Sequence, residues 1–316
     1  MIYVKRGIGI LTFLLGLTGL LLVTSSVFVP KNNTEESGME EVSANGILGE
    51  KENTIDVLIV GDSESYASIS PMQLWRDAGY TAYVTGTSAQ TLDYSLQMVK
   101  RAFLTQAPKM VILETNAVYR DVSGEKAMIS RLGEYFSIFQ YHNRWKHIRW
   151  DDFKGDVNYT WTNDFKGYRH SKAVKSCEKK DYMKETSEIA DIPEGNMEYV
   201  KEIKNLCDEH GAKLLLLRTP STLNWNYAKH NGVKKMAEEL GCEQIDMNLM
   251  DEEVQIDWEK DTRDKGDHLN DYGAEKVTRV LTEYLKETGL FQDHRKDSVY
   301  AQWNESLKRY TNVTGL

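Results

Sequence analysis

Residues 55–65 read Ile-Asp-Val-Leu-Ile-Val-Gly-Asp-Ser-Glu-Ser, and they constrain the chain more tightly than any other stretch. Val57, Leu58, Ile59 and Val60 form a short, largely β-branched apolar run, which predicts a strand buried on both faces. A Gly-Asp-Ser turn follows at 61–63. Glycine lets the backbone turn sharply and approach a ligand closely, because it has no Cβ. A serine lifted off a strand end at the mouth of a helix is placed as a nucleophile, with nearby backbone N–H groups able to face a developing oxyanion. A chain of this length carries that tripeptide by chance about one time in ten, so the turn alone decides nothing.

The rest of the chain alternates strand and helix signals. A helix is expected over 71–79, a strand over 80–85, a helix over 91–106 and a buried strand over 109–115. The pattern resumes with a helix over 198–210, a strand over 212–219, a helix over 226–240, a short strand over 243–247 and a last helix over 271–287. This grammar predicts an α/β domain with a flavodoxin-like, doubly wound parallel sheet of five strands and right-handed crossovers. Ligands of such sheets sit at the carboxyl ends of the strands. Ser63, Gly86, Asn116 and His268 all fall at or after such ends. Arg218 ends the fourth strand, where it is expected to form a surface salt bridge or to meet an anionic group of a substrate.

Gly266-Asp267-His268-Leu269-Asn270 precedes the last helix, and the run continues through Gly273-Ala274. A histidine there can return to a serine at the first strand and act as its general base. Together the two stretches resemble the SGNH (GDSL-type) hydrolase family. The His-Leu-Asn-x-x-Gly-Ala run is most similar to membrane-anchored relatives near DltD and the alginate O-acetyltransferases. The resemblance covers most of residues 54–290.

It implies Ser63 as nucleophile, His268 as base and an oxyanion hole that includes Gly86 and the Asn116 amide. Gly86 matches by position alone. Asn116 stands in Glu-Thr-Asn rather than the family's Gly-x-Asn-Asp context. The family places its aspartate three residues before the histidine, where this chain has Lys265. Asp264 and Asp267 flank that place. Gly266 favours Asp264 by absorbing one extra loop residue, while Asp267 or a Ser–His dyad stays open. No cofactor is implied, and no metal-binding spacing is seen.

Lys5 and Arg6 precede residues 7–29, a 23-residue segment without charge. As a helix it is about 34 Å long, enough to cross a hydrocarbon core of about 30 Å. The basic pair predicts a cytoplasmic stub, a transmembrane anchor over 1–30 and an extracytoplasmic remainder, a single-pass protein of the cell membrane. A cleaved signal peptide is the other reading. Residues 31–53 are polar and Glu-rich and read as a flexible linker to a domain over 54–290. Removing Lys5 and Arg6 from the net charge of −9 leaves −11 on residues 31–316, which argues against nucleic acid as a partner. Cys177, Cys207 and Cys242 are an odd set with no metal spacing.

Residues 117–195 break the pattern and read as an insertion. Its aromatics, among them Trp145, Trp150, Tyr159, Trp161 and Tyr168, either stack on sugar rings or form a small core of their own. A tail over 291–316 is expected to hold a helix around 300–310. By resemblance the chain is an extracytoplasmic serine esterase or O-acyltransferase acting on acyl esters of a cell-envelope polysaccharide or teichoic-acid-like polymer, with a multi-spanning membrane acyltransferase as possible partner. Other readings are a lipase or thioesterase on small lipid esters, or a non-catalytic tethered binding or scaffold protein.

Overall fold

Strand β1 (Val57–Val60) is flanked on both edges, and all four of its residues are fully buried, as its apolar run requires. The computed structural model describes residues 2–178 and 181–316. With β2 (Ala82–Val84), β3 (Met110–Glu114), β4 (Lys213–Arg218) and β5 (Glu243–Asp246), β1 makes a parallel sheet ordered β2-β1-β3-β4-β5. Ile59 pairs with Val84 on one side and Ile112 on the other. This is the expected flavodoxin-like order. The chain leaves β1 outward to β2 and then crosses back to β3, so a crevice opens where β1 and β3 end.

Local chemistry explains the flanking helices. Ser70 accepts from the Gln73 N–H and Pro71 opens the helix Pro71–Ala78, which stops at Gly79 with φ 71°. The helix Asp271–Glu287 turns Val277, Leu281 and Leu285 onto the core that Ile59, Ile112 and Leu215 supply. A tail helix, Ala301–Thr314, buries Trp303 and Tyr310.

The sheet belongs to a compact unit formed by residues 43–122 and 162–316. Residues 43–53 are part of it, which corrects the expected flexible linker. Ile47 is fully buried, the Tyr83 hydroxyl donates to the Ser43 carbonyl at 2.8 Å, and Arg101 donates to the Asn45 side chain at 2.6 Å. Lys166 and Glu50 form a buried ion pair at 2.7 Å. The composition of this stretch hides its role, because buried polar partners hold it more than apolar periodicity does.

A second unit combines residues 2–42 with 123–161. Its amino-terminal helix, Ile2–Phe28, carries no charge after Arg6, and its stretch Tyr3–Phe28 is long and apolar enough to cross a membrane. Residues 31–42 are folded here too: Asn33 is buried and exchanges side-chain hydrogen bonds with the Trp161 backbone at 2.6 and 3.0 Å. The aromatics of the insertion divide. Tyr168 is buried in the sheet-bearing unit, while Trp145 and Trp150 of the second unit are exposed.

Candidate active site

Asp62 shapes the turn after β1. Its Oδ1 accepts from the Glu64 N–H at 3.0 Å, which caps the helix Ser63–Ser68. Its Oδ2 accepts from the Asn116 amide at 2.8 Å and from Arg120 at 3.0 Å. Asp62 is fully buried, so it braces the turn and does not face a substrate. Ser63 is thereby the first helical residue, half-buried, with its hydroxyl directed at His268.

His268 comes from the loop between β5 and the last core helix. Leu269 enters the core, and Asn270 caps the helix by accepting from the Tyr272 and Gly273 N–H groups. The His-Leu-Asn run therefore fixes its histidine from the carboxyl side. From the other side, Arg263 N–H and the Thr262 hydroxyl donate to the His268 carbonyl at 3.1 and 3.0 Å.

The ring spans two partners. His268 Nε2 lies 2.7 Å from Ser63 Oγ, and Nδ1 lies 2.6 Å from Asp264 Oδ2. Asp264 Oδ1 also accepts from the His268 backbone N–H at 2.6 Å. With the Nδ1 proton on the carboxylate side, Nε2 is left to accept from serine. Asp267 Oδ2 stands further from Nδ1, at 3.3 Å, and its Oδ1 is held by the Asn224 amide. Between the two aspartates, Lys265 is exposed with φ 69° and Gly266 has φ 89°. A Cβ at Gly266 would sit 2.2 Å from Thr222 Oγ1, so only glycine fits this left-handed position. That bend takes up the extra residue between Asp264 and His268.

Gly86 and Asn116 stand beside this pair. A Cβ at Gly86 would lie 2.1 Å from Ser65 Oγ and 2.9 Å from the Asp62 carbonyl, so the strand end presses directly on the serine turn. Among the described residues, neither the Ser63 nor the Gly86 N–H donates to a protein acceptor. Asn116 spends one amide N–H on Asp62, and an amide carries a second. Ser63 and Gly86 thus each keep a backbone N–H, and Asn116 one amide proton, that no described protein acceptor takes up.

Beneath the turn lies a charge cluster that sequence reading missed. Arg218, Glu64 and Glu114 are all fully buried. Arg218 Nη1 donates to Glu114 at 2.5 Å, while its Nη2 lies 3.6 Å from Glu64. The expected surface salt bridge or substrate contact at Arg218 is thus corrected to an internal ion pair, which also places the guanidinium 4.8 Å from the Trp225 ring. Burial pushes the Glu64 carboxyl well above the ordinary carboxylate range, against the pull of Arg218; Glu114, Asp62 and Asp267 add to the rise. Burial raises Glu114 as well, again opposed by Arg218. The one guanidinium stands closer to Glu114 than to Glu64, so Glu114 takes the larger share of its pull. The signal available in the sequence was a charged residue ending each of two apolar strands, at Glu114 and Arg218.

Ligand atoms of Glu64, Asp267 and His268 lie within 4.8 Å of one another, close enough for a divalent cation. His268, however, already has a partner on each ring nitrogen. A cavity of about 250 Å³ opens instead at the amino ends of β3, β4 and β5, lined by Lys204, Asp208, Cys242 and Tyr284, away from Ser63.

No protein-family model matches the chain, and no curated protein matches it. Solved structures align with it loosely. A GDSL-like lipase from Bacteroides thetaiotaomicron shares 12% identity over 73% of this chain and 88% of its own, with a TM-score of 0.35. A lipase/acylhydrolase from Enterococcus faecalis shares 11% over 74% and 97%, with a TM-score of 0.40. The psychrotrophic esterase EstA from Pseudoalteromonas sp. shares 11% over 73% and 97%, with a TM-score of 0.39.

Proposed function

We propose that this chain is a serine-dependent acyl-ester enzyme in which Ser63 is the nucleophile, His268 the general base and Asp264 the carboxylate that orients it. One observation carries the reading: His268 bridges Ser63 Oγ at 2.7 Å and Asp264 at 2.6 Å through its two ring nitrogens. Ser63 attacks the ester carbonyl as its proton passes to Nε2. The developing oxyanion meets the N–H groups of Ser63 and Gly86 and the free Asn116 amide proton. The alcohol leaves with the proton from Nε2, and the acyl group stays on Ser63. Water then gives hydrolysis, and an acceptor hydroxyl gives transfer, through the same residues. Asp267, braced by Asn224, is an accessory carboxylate.

The amino-terminal helix and the basic pair in its first turns, Lys5 and Arg6, support a membrane anchor with the catalytic unit on the extracytoplasmic side. On that side the substrate is an O-acyl ester of a cell-envelope glycopolymer, as the resemblance to membrane-anchored O-acetyltransferases suggests, and a multi-spanning acyltransferase is the partner that would deliver acyl groups. The test is hydrolysis of p-nitrophenyl acetate by the full chain in detergent. Turnover lost in Ser63→Ala and His268→Ala supports the reading, and turnover retained in Ser63→Ala overturns it.

A further inference from the structure

The second compact unit carries an exposed aromatic cluster at one end of the amino-terminal helix. Most of that helix is exposed up to Val23, but Ser25 and Val27 are buried. The chain 136–153 packs there. Ser25 Oγ accepts from the Ile138 N–H at 3.3 Å. Arg144, only 3% exposed, donates from Nη1 to the Val27 carbonyl at 2.7 Å and from Nε to the Ser37 carbonyl at 2.7 Å, while Nη2 pairs with Asp152. The last carbonyls of a helix have no partner within it, and here a buried guanidinium supplies one.

This staple fixes two short turns, His142–His147 and Trp150–Phe153, at the end of the apolar segment. Both turns push aromatic rings outward. Trp150 is 87% exposed, Trp145 63% and Phe153 59%. Trp150 and Phe153 lean on each other with centroids 5.8 Å apart, and Lys146 Nζ lies 5.4 Å from the Trp145 ring. Large rings left this open mark a surface that meets something.

We infer that Trp145, Trp150 and Phe153 form an aromatic collar seated in the headgroup zone of the bilayer, around the outer end of the amino-terminal helix. The inference rests on that helix spanning the membrane. Arg144 ties the collar to residue 27, two residues before the uncharged run ends, so at about 1.5 Å per residue it sits within a few ångströms of the hydrocarbon boundary. Rings with an apolar body and a polar edge, flanked by Lys146 and Arg149, have the chemistry of that zone. Continuity with the apolar helix makes lipid the occupant.

The full chain is reconstituted into phosphatidylcholine vesicles with ordinary or brominated acyl chains, floated on a density gradient, and its tryptophan emission compared. The amino-terminal helix contains no tryptophan, so it gives no signal of its own. The collar predicts that the chain floats and that brominated lipid lowers emission by roughly a quarter, the share of two tryptophans in seven. The Trp145→Phe/Trp150→Phe double variant should float equally while losing most of that sensitivity. Flotation with no bromolipid quenching, or quenching unchanged in the double variant, would overturn the collar and leave the span standing. A chain that does not float overturns the span and the collar with it.

Discussion

Asp264 grips His268 at two points, facing its Nδ1 at 2.6 Å and accepting from its backbone N–H at 2.6 Å. One carboxylate thus fixes both the tautomer of the ring and the position of the residue that carries it. The left-handed pair Lys265 and Gly266 makes this grip possible across four residues.

The two aspartates should therefore differ in effect. Asp264→Asn is expected to lower kcat for p-nitrophenyl acetate by about 10⁴-fold, because the amide favours the wrong tautomer and cannot stabilise the imidazolium. Asp267→Asn should cost about tenfold or less, since its oxygen stands at 3.3 Å. The reverse ranking would make Asp267 the orienting group, and equal small losses would indicate a dyad.

Asn116 is tied to Asp62 by one amide proton, which leaves a single donor for the oxyanion. Asn116→Ala should lower kcat by about 10²-fold or more with little change in KM, the signature of a contact made in the transition state. A loss confined to melting temperature would mean that Asn116 only braces the turn.

Glu64 supplies a pH-dependent stability test. Its carboxyl is raised above the ordinary value of 4.5, so between that value and its folded one the native state binds more protons than the unfolded chain. Stability contributed by the protonated form is full below 4.5 and falls as pH climbs through this window. Glu64→Gln keeps the shape and removes the titration. Its melting temperature should improve relative to wild type as pH rises from about 4 to about 9, followed by circular dichroism. A deficit that grows with pH would show that Glu64 is an ionised partner of Arg218.

The folded state of residues 43–53 sets where a soluble fragment can begin. A fragment starting at Thr54 loses the burial of Ile47 and leaves Lys166, fully buried, without Glu50. An orphaned buried charge costs about 3–5 kcal/mol. Its melting temperature should be roughly 10 °C or more below that of a fragment starting at Ser43. Equal melting temperatures would show that this segment contributes no stability.

The sheet was legible because its strands are short apolar runs bounded by turn residues, and Asp271–Glu287 because Asn270 caps it and its apolar residues recur at helical spacing. Ser63 was legible as a candidate from the Gly-Asp-Ser turn after β1, and His268 from its run before the last core helix; the structure brings the two within 2.7 Å. The Arg218–Glu114 pair was not, since its partners sit 104 residues apart and meet only because β3 and β4 are neighbours. Nor were residues 31–53, where Asn33, Asn45 and Glu50 are fixed by polar partners far away in sequence that no periodicity announces.

The central claim is that Ser63 is a nucleophile activated by His268, and covalent capture tests it most directly. A fluorophosphonate reacts only with an activated hydroxyl, because the serine oxygen must displace fluoride as the base takes its proton. The full chain in detergent is treated with the probe, digested and mapped by mass spectrometry. The account predicts one adduct, on the peptide carrying Ser63, lost in Ser63→Ala and strongly slowed in His268→Ala. An unlabelled wild-type chain, or an adduct that persists elsewhere when Ser63 is replaced, would contradict it.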